Sequence, residues 1–111
     1  MLTIRKDQIG AFNLKAEHEF HLSIKDYLHA EMPVVIEGQT DDQVLARIAQ
    51  AERNAAAHGI EDLVPLVQYI CLALALGPEF ELDTDVRAYL SRSDIDQETK
   101  MESLIDELEE P

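Results

Sequence analysis

Little in this sequence points to chemistry. It has one cysteine, no tryptophan, four glycines and four prolines among 111 residues. The single cysteine, Cys71, has no partner for an intramolecular disulfide. It lies in an apolar run, where a thiol packs as a small hydrophobe. The glycines are isolated and none precedes a lysine, so no phosphate-cradling loop is present. Ser91 and Ser93 lack the flanking glycines of a nucleophile elbow. So few glycines and prolines also predict few, short loops. Basic residues are scarce as well: nine Lys and Arg stand against 23 Asp and Glu, a net charge of −14. Such a surface repels phosphate, which argues against nucleic acid as a partner. It also repels anionic lipid headgroups. It suits solubility and fast association with a basic partner. The opening residues MLTIRKDQ lack an apolar signal region, so a cytoplasmic location is expected.

What is present is helical periodicity around one apolar run. Leu63 to Leu76 reads LVPLVQYICLALAL and is closed by Gly77-Pro78. A run apolar on every side has no solvent face, which predicts a helix buried at the centre. It is shorter than the roughly 20 residues that span a membrane. Pro65 falls in the first turn, where its missing N–H costs no intrahelical bond. Upstream, Ile9, Phe12, Ala16, Phe20, Ile24, Tyr27 and Leu28 recur at steps of three and four. They predict a helix from about Thr3 to Met32, weakened at Gly10 and ended by Pro33. Val34 to Gly38 reads as an extended, packed connector. Thr40 and Gln43 match a capping box and open a helix to about His58. Val44, Ile48, Ala51 and Ala55 form its buried face. Gly59 followed by Ile60 is a left-handed stop with its hydrophobic contact. Pro78 to Asp83 reads as a loop anchored by Phe80. A short helix capped by Asp83 or Thr84 carries Val86, Tyr89 and Leu90. A last helix, capped by Ser93 or Asp94, buries Met101, Leu104, Ile105 and Leu108. With no linker or repeat, the expectation is one all-α domain over 1–111, a bundle of about five helices around 63–76.

Residues capable of chemistry each have a plain structural role. His18 and His21 lie one turn apart and could give two metal ligands, but a third would have to come from elsewhere, so they read as solvated surface groups. The acid pairs Asp41–Asp42, Glu61–Asp62 and Asp83–Asp85 each sit where a helix dipole favours acids. A carboxylate hydrolase would need two acids converging from separate elements. Asp-Thr-Asp at 83–85 opens like a calcium loop but lacks its remaining ligands and glycine. Gln68 and Tyr69, inside the central run, read as hydrogen-bonded core groups. No catalytic residue, metal site or cofactor is expected.

The order of landmarks carries a resemblance. The chain opens TIRKDQ and ends its first helix in HAEMP. An A-ER-A pattern leads to Gly59-Ile60, and V-YICLALALGPEFELD and YLSRSDIDQETKMESL follow. The most specific parts are Ile4-Arg5 with Gln8, and Leu76-Gly77-Pro78-Glu79-Phe80. This succession, over nearly the whole chain, resembles small accessory proteins encoded beside bacterial type VI secretion effector and spike genes. His58 stands where that pattern often has an aromatic, and Tyr89 near a common tryptophan. The resemblance implies an accessory role around a secreted toxin and brings no catalytic residue with it.

The function expected is therefore a non-enzymatic binding protein, a chaperone or adaptor for a type VI effector with a basic surface. An immunity protein that neutralises a toxin is the alternative, and a small carboxylate hydrolase the remote one. The residues expected to meet the partner are Glu79, Glu81 and Asp83 after the central helix, then Glu102 and Asp106 on the last. Homo-oligomers remain compatible with the sequence.

Overall fold

A computed structural model describes residues 17–109, apart from the side chains at 17, 78, 79, 108 and 109. Helix α1 covers Glu17–Glu31, and a 3-10 turn follows at Pro33–Ile36. Then come α2 (Asp41–Ala57), α3 (Leu63–Leu76), α4 (Pro78–Leu82), α5 (Thr84–Leu90) and α6 (Gln97–Glu109). The described residues contain no strand, and the fold is all-α. Its radius of gyration is 13.1 Å, close to the ~13 Å of a packed chain of about 100 residues.

The apolar run forms α3 with the expected bounds, and its residues from Pro65 to Leu74 are all buried. Helix α2 packs along one side of it and α6 along another, while α1 packs on α2. Phe20, Ile24, Tyr27 and Leu28 of α1 and Val44, Ile48, Ala51 and Ala55 of α2 face inward. The small alanines let α2 come close to α3. Ile9, Phe12, Ala16 and Gly10 of the expected first helix lie outside the described residues, as does the Leu108 side chain.

Both ends of α2 are closed as its sequence directs. Thr40 Oγ1 accepts from Gln43 N at 3.2 Å, and Gln43 Oε1 accepts from Thr40 N at 2.9 Å. At the other end Gly59 has φ +77°. Its N–H bonds the Ala56 carbonyl, and the Ile60 N–H bonds the Ala55 carbonyl at 2.9 Å. This pair of hydrogen bonds is the Schellman arrangement, and Ile60 is fully buried beneath it.

Three local expectations are corrected. The connector at 33–36 is a 3-10 turn, because Pro33 fixes φ near helical values at its first position. Ile36 is buried there while Val34 is exposed. The PEFELD stretch is a helical turn, α4, instead of a loop. Proline again suits a first helical position, and Phe80 is buried as its anchor. The last helix starts later than expected, with Asp96 closing it. Asp96 Oδ1 accepts from Thr99 N at 2.8 Å, and Asp96 Oδ2 accepts from Thr99 Oγ1 at 3.0 Å. Ser93 and Asp94 lie in the bend before it. Asp94 is instead paired with Arg92 at 2.6 Å.

Candidate functional site

The joint between α2, the end of α3 and α4 holds the most connected polar cluster among the described residues. It grows from a local defect. The Leu74 carbonyl lies in the last turn of α3, where carbonyls lack an intrahelical donor, and Pro78 beyond it brings no N–H. Arg47 of α2 fills the gap: its Nη2 donates to the Leu74 carbonyl at 3.0 Å, and its Nη1 to Gln39 Oε1 at 3.0 Å. One turn further along α2, Gln50 Nε2 donates to Asn54 Oδ1 at 3.1 Å, and Arg53 Nη2 donates to Gln50 Oε1 at 2.8 Å. Asn54 Nδ2 then donates to Glu81 Oε2 at 2.5 Å, and Tyr69 O–H donates to Glu81 Oε1 at 3.3 Å. A continuous chain thus runs from exposed Arg53 to buried Tyr69, with Glu81 receiving both final donors. Both carboxylate oxygens of Glu81 are held, which fixes the side chain in one orientation.

Tyr69 stacks obliquely on Phe80, ring centroids 5.7 Å apart, and on His58 at 6.3 Å. Burial pushes the Tyr69 hydroxyl well above its ordinary range, and the Glu81 charge and hydrogen bond add to that, so it acts as a donor. Burial also lowers the His58 pKa, helped by the positive charges of Arg87 and Lys100 and opposed by Glu81. His58 Nδ1 lies 3.2 Å from Ser91 Oγ. A serine–histidine pair does chemistry when a third group orients the ring. Among the described residues none hydrogen-bonds its other nitrogen.

Two concavities flank Glu81. One, about 210 Å³, is lined by Arg47, Gln50 and Ala51 on one wall and Ala73, Leu74 and Gly77 on the other. The second, about 290 Å³, is lined by Asn54, Ala57, His58, Tyr69, Leu82 and Arg87. Both lie beside α2 and share Glu81 as a wall; the pair makes up the trough. Arg47, Gln50, Asn54 and His58 fall at steps of three and four, one face of α2.

The expected partner residues separate on the structure. Glu81 lies at the centre of the trough. Asp83 is exposed and is the N-cap of α5, accepting from Asp85 N at 2.9 Å and Val86 N at 3.1 Å. Glu79 is on α4, and its side chain lies outside the described residues. Glu102 is half-buried and Asp106 exposed on α6. That helix packs chiefly on α3, so these two stand on a different element from Glu81.

Other candidates resolve into structural roles. His21 is buried, contrary to the solvated expectation, and its Nε2 lies 2.7 Å from Glu52 Oε1 on α2. A carboxylate only accepts, so Nε2 carries the proton. His18 is exposed. No group of three or more His, Cys, Asp or Glu among the described residues is placed to hold a metal. Burial pushes the Cys71 thiol up to about 12, which suits an inert core group. Tyr69 is hydrogen-bonded as expected, whereas Gln68 Oε1 is buried with no partner among the described residues.

Two ties were not visible in the sequence. Lys100 is buried, and its Nζ donates to the Leu90 carbonyl at 2.8 Å and the Arg92 carbonyl at 2.5 Å. Gln97 Oε1 accepts from the Glu61 and Asp62 N–H groups at 2.7 and 2.9 Å, joining the start of α6 to the start of α3. Their only advance signal was polar residues on the margin of an apolar stripe.

Compared with known proteins, the chain matches no family model, no curated sequence and no solved structure. The class defined by fold and site is a small all-α protein with a polar trough at a helix joint. No helix among the described residues is long and apolar enough to cross a membrane.

Proposed function

We propose that this protein is a non-enzymatic binding module for a basic protein partner. In the setting its motifs resemble, it serves in the cytoplasm as a chaperone or adaptor for a type VI secretion effector. The observation that supports this is the net charge of −14 on a chain of 111 residues, combined with where the acids lie. Asp42, Glu61, Asp85, Asp106 and Glu107 are all exposed on helices or helix starts. An acidic exterior of this kind speeds encounter with a cationic surface and discriminates against acidic ones. Thr40, Arg47, Lys100 and Asn54 act as a cap, as helix ties and as a link in the chain to Glu81.

The test is capture of partners by the tagged chain from cells that express the genes adjacent to its own. A basic secreted protein should be retained at low salt and released as salt rises. Deleting the chain should lower that partner's solubility or export. An affinity that does not change with salt would refute the electrostatic reading. Full protection of cells against a toxin by this chain alone would make it an immunity protein instead.

A further inference from the structure

Resting on the binding-module reading, we propose that the trough along α2 is where an extended segment of the partner docks, with a lysine or arginine seated on Glu81 and hydrogen-bond acceptors or acids on either side. The charges lining the trough are of both signs: Arg47 shares one concavity with Glu81, and Arg87 shares the other. No ion pair among the described residues joins either arginine to Glu81 or to any other carboxylate. Glu81 thus shares each concavity with one arginine, and these three charges are not ion-paired with one another. The complement of the trough is a segment with a cation between two acceptors.

The form of the trough agrees with such an occupant. Glu81 is partly exposed yet held by Asn54 and Tyr69, so its remaining lone pairs are preorganised for a further donor. Ala51, Ala57 and Gly77 leave room for a backbone to approach. Leu82, 69% exposed, supplies an apolar wall for the aliphatic stem of a long basic side chain. The preference opposes what bulk charge alone would give. A chain with net charge −14 attracts net-positive peptides everywhere, whereas the trough selects a lysine bracketed by acids, a segment with no net positive charge.

That opposition provides the experiment. Three short capped peptides are titrated into isotopically labelled protein at physiological salt, with backbone amide shifts as the readout. One has a central lysine flanked by aspartates, one a central aspartate flanked by lysines, and one is neutral. The lysine-centred peptide should shift amides of residues 47–58 and 77–87, and the other two should not. Glu81→Gln keeps the shape and the Asn54 contact, makes the Tyr69 hydroxyl an acceptor and removes the charge; it should weaken that peptide about tenfold. Arg87→Glu, on an exposed position of α5, should weaken it as well and serves if Glu81→Gln fails to fold. Equal binding of the charge-inverted peptide, shifts confined to α6, absence of binding, or indifference to both substitutions would each overturn the trough assignment. A basic partner that is captured in a salt-sensitive way but ignores Glu81→Gln would overturn the trough alone. Failure to capture any basic partner, with the peptide result intact, would overturn the wider reading.

Discussion

At the residue scale, buried polar side chains serve as fasteners between helices. Lys100 is the clearest. Its ammonium satisfies two carbonyls at and beyond the end of α5, where the helix has run out of its own donors. Lys100→Met keeps the stem and removes the donors, leaving those carbonyls unpaired. It should lower stability by about 2–3 kcal/mol in urea unfolding. His58 supplies a pH signature. Its folded pKa lies below the ordinary 6.5 through burial first and then through Arg87 and Lys100. The unfolded chain therefore takes up the proton more readily, so stability is complete above about 6.5 and falls as pH drops below it. Between pH 7.5 and 5.5 the wild-type protein should lose more stability than His58→Gln. Parallel slopes for the two would contradict this.

Individual elements are written by their ends. Helix α2 carries a capping box at Thr40 and a left-handed glycine at Gly59, both read directly from sequence and both present. Thr40→Ala should cost about 1 kcal/mol through the lost cap. Gly59→Ala meets no atom within 4 Å but must adopt φ +77°, and the strain should cost about 1–2 kcal/mol. The two sites sit at opposite ends of the helix, so the double variant should show the sum in a denaturant titration. A shortfall well beyond 0.5 kcal/mol would mean that the ends are coupled. Helix α3 shows the opposite case. Asp62 stands at its N-cap position without a side-chain cap bond. The amide oxygen of Gln97 takes the Glu61 and Asp62 N–H groups instead, and Arg47 satisfies the carbonyl that Pro78 cannot serve. Its ends are finished by other helices.

Across the whole molecule, α3 is the packing centre and the trough is a by-product of how its C-terminus is closed. Ile70 is fully buried in the core. Ile70→Ala should cost about 2–5 kcal/mol. Leu82, by contrast, is largely exposed, and Leu82→Ala should stay within about 0.5 kcal/mol in stability. Its effect should appear only in binding at the trough. If Leu82→Ala destabilised the protein as much as Ile70→Ala, Leu82 would be a core residue and not a wall of the site.

The sequence by itself determined the helical class, the bounds of α3, both closures of α2 and the buried faces of α1 and α2 among the described residues. These features depend on residues three or four positions apart, or on one glycine or proline, so the signal is local. It also named Glu81, as one of five acids and within a stretch read as a loop. Tertiary structure decided the rest. PEFEL forms the helical turn α4, with Phe80 buried against Tyr69. His21 and Lys100 were drawn inside because partners 31 and 10 residues away compensate their polar groups. Above all, Glu81 was separated in role from Asp83, Glu102 and Asp106 by the side chains that converge on it from α2 and α3. Sequence spacing cannot express that convergence, because Asn54 and Tyr69 become neighbours of Glu81 only once α2, α3 and α4 have packed.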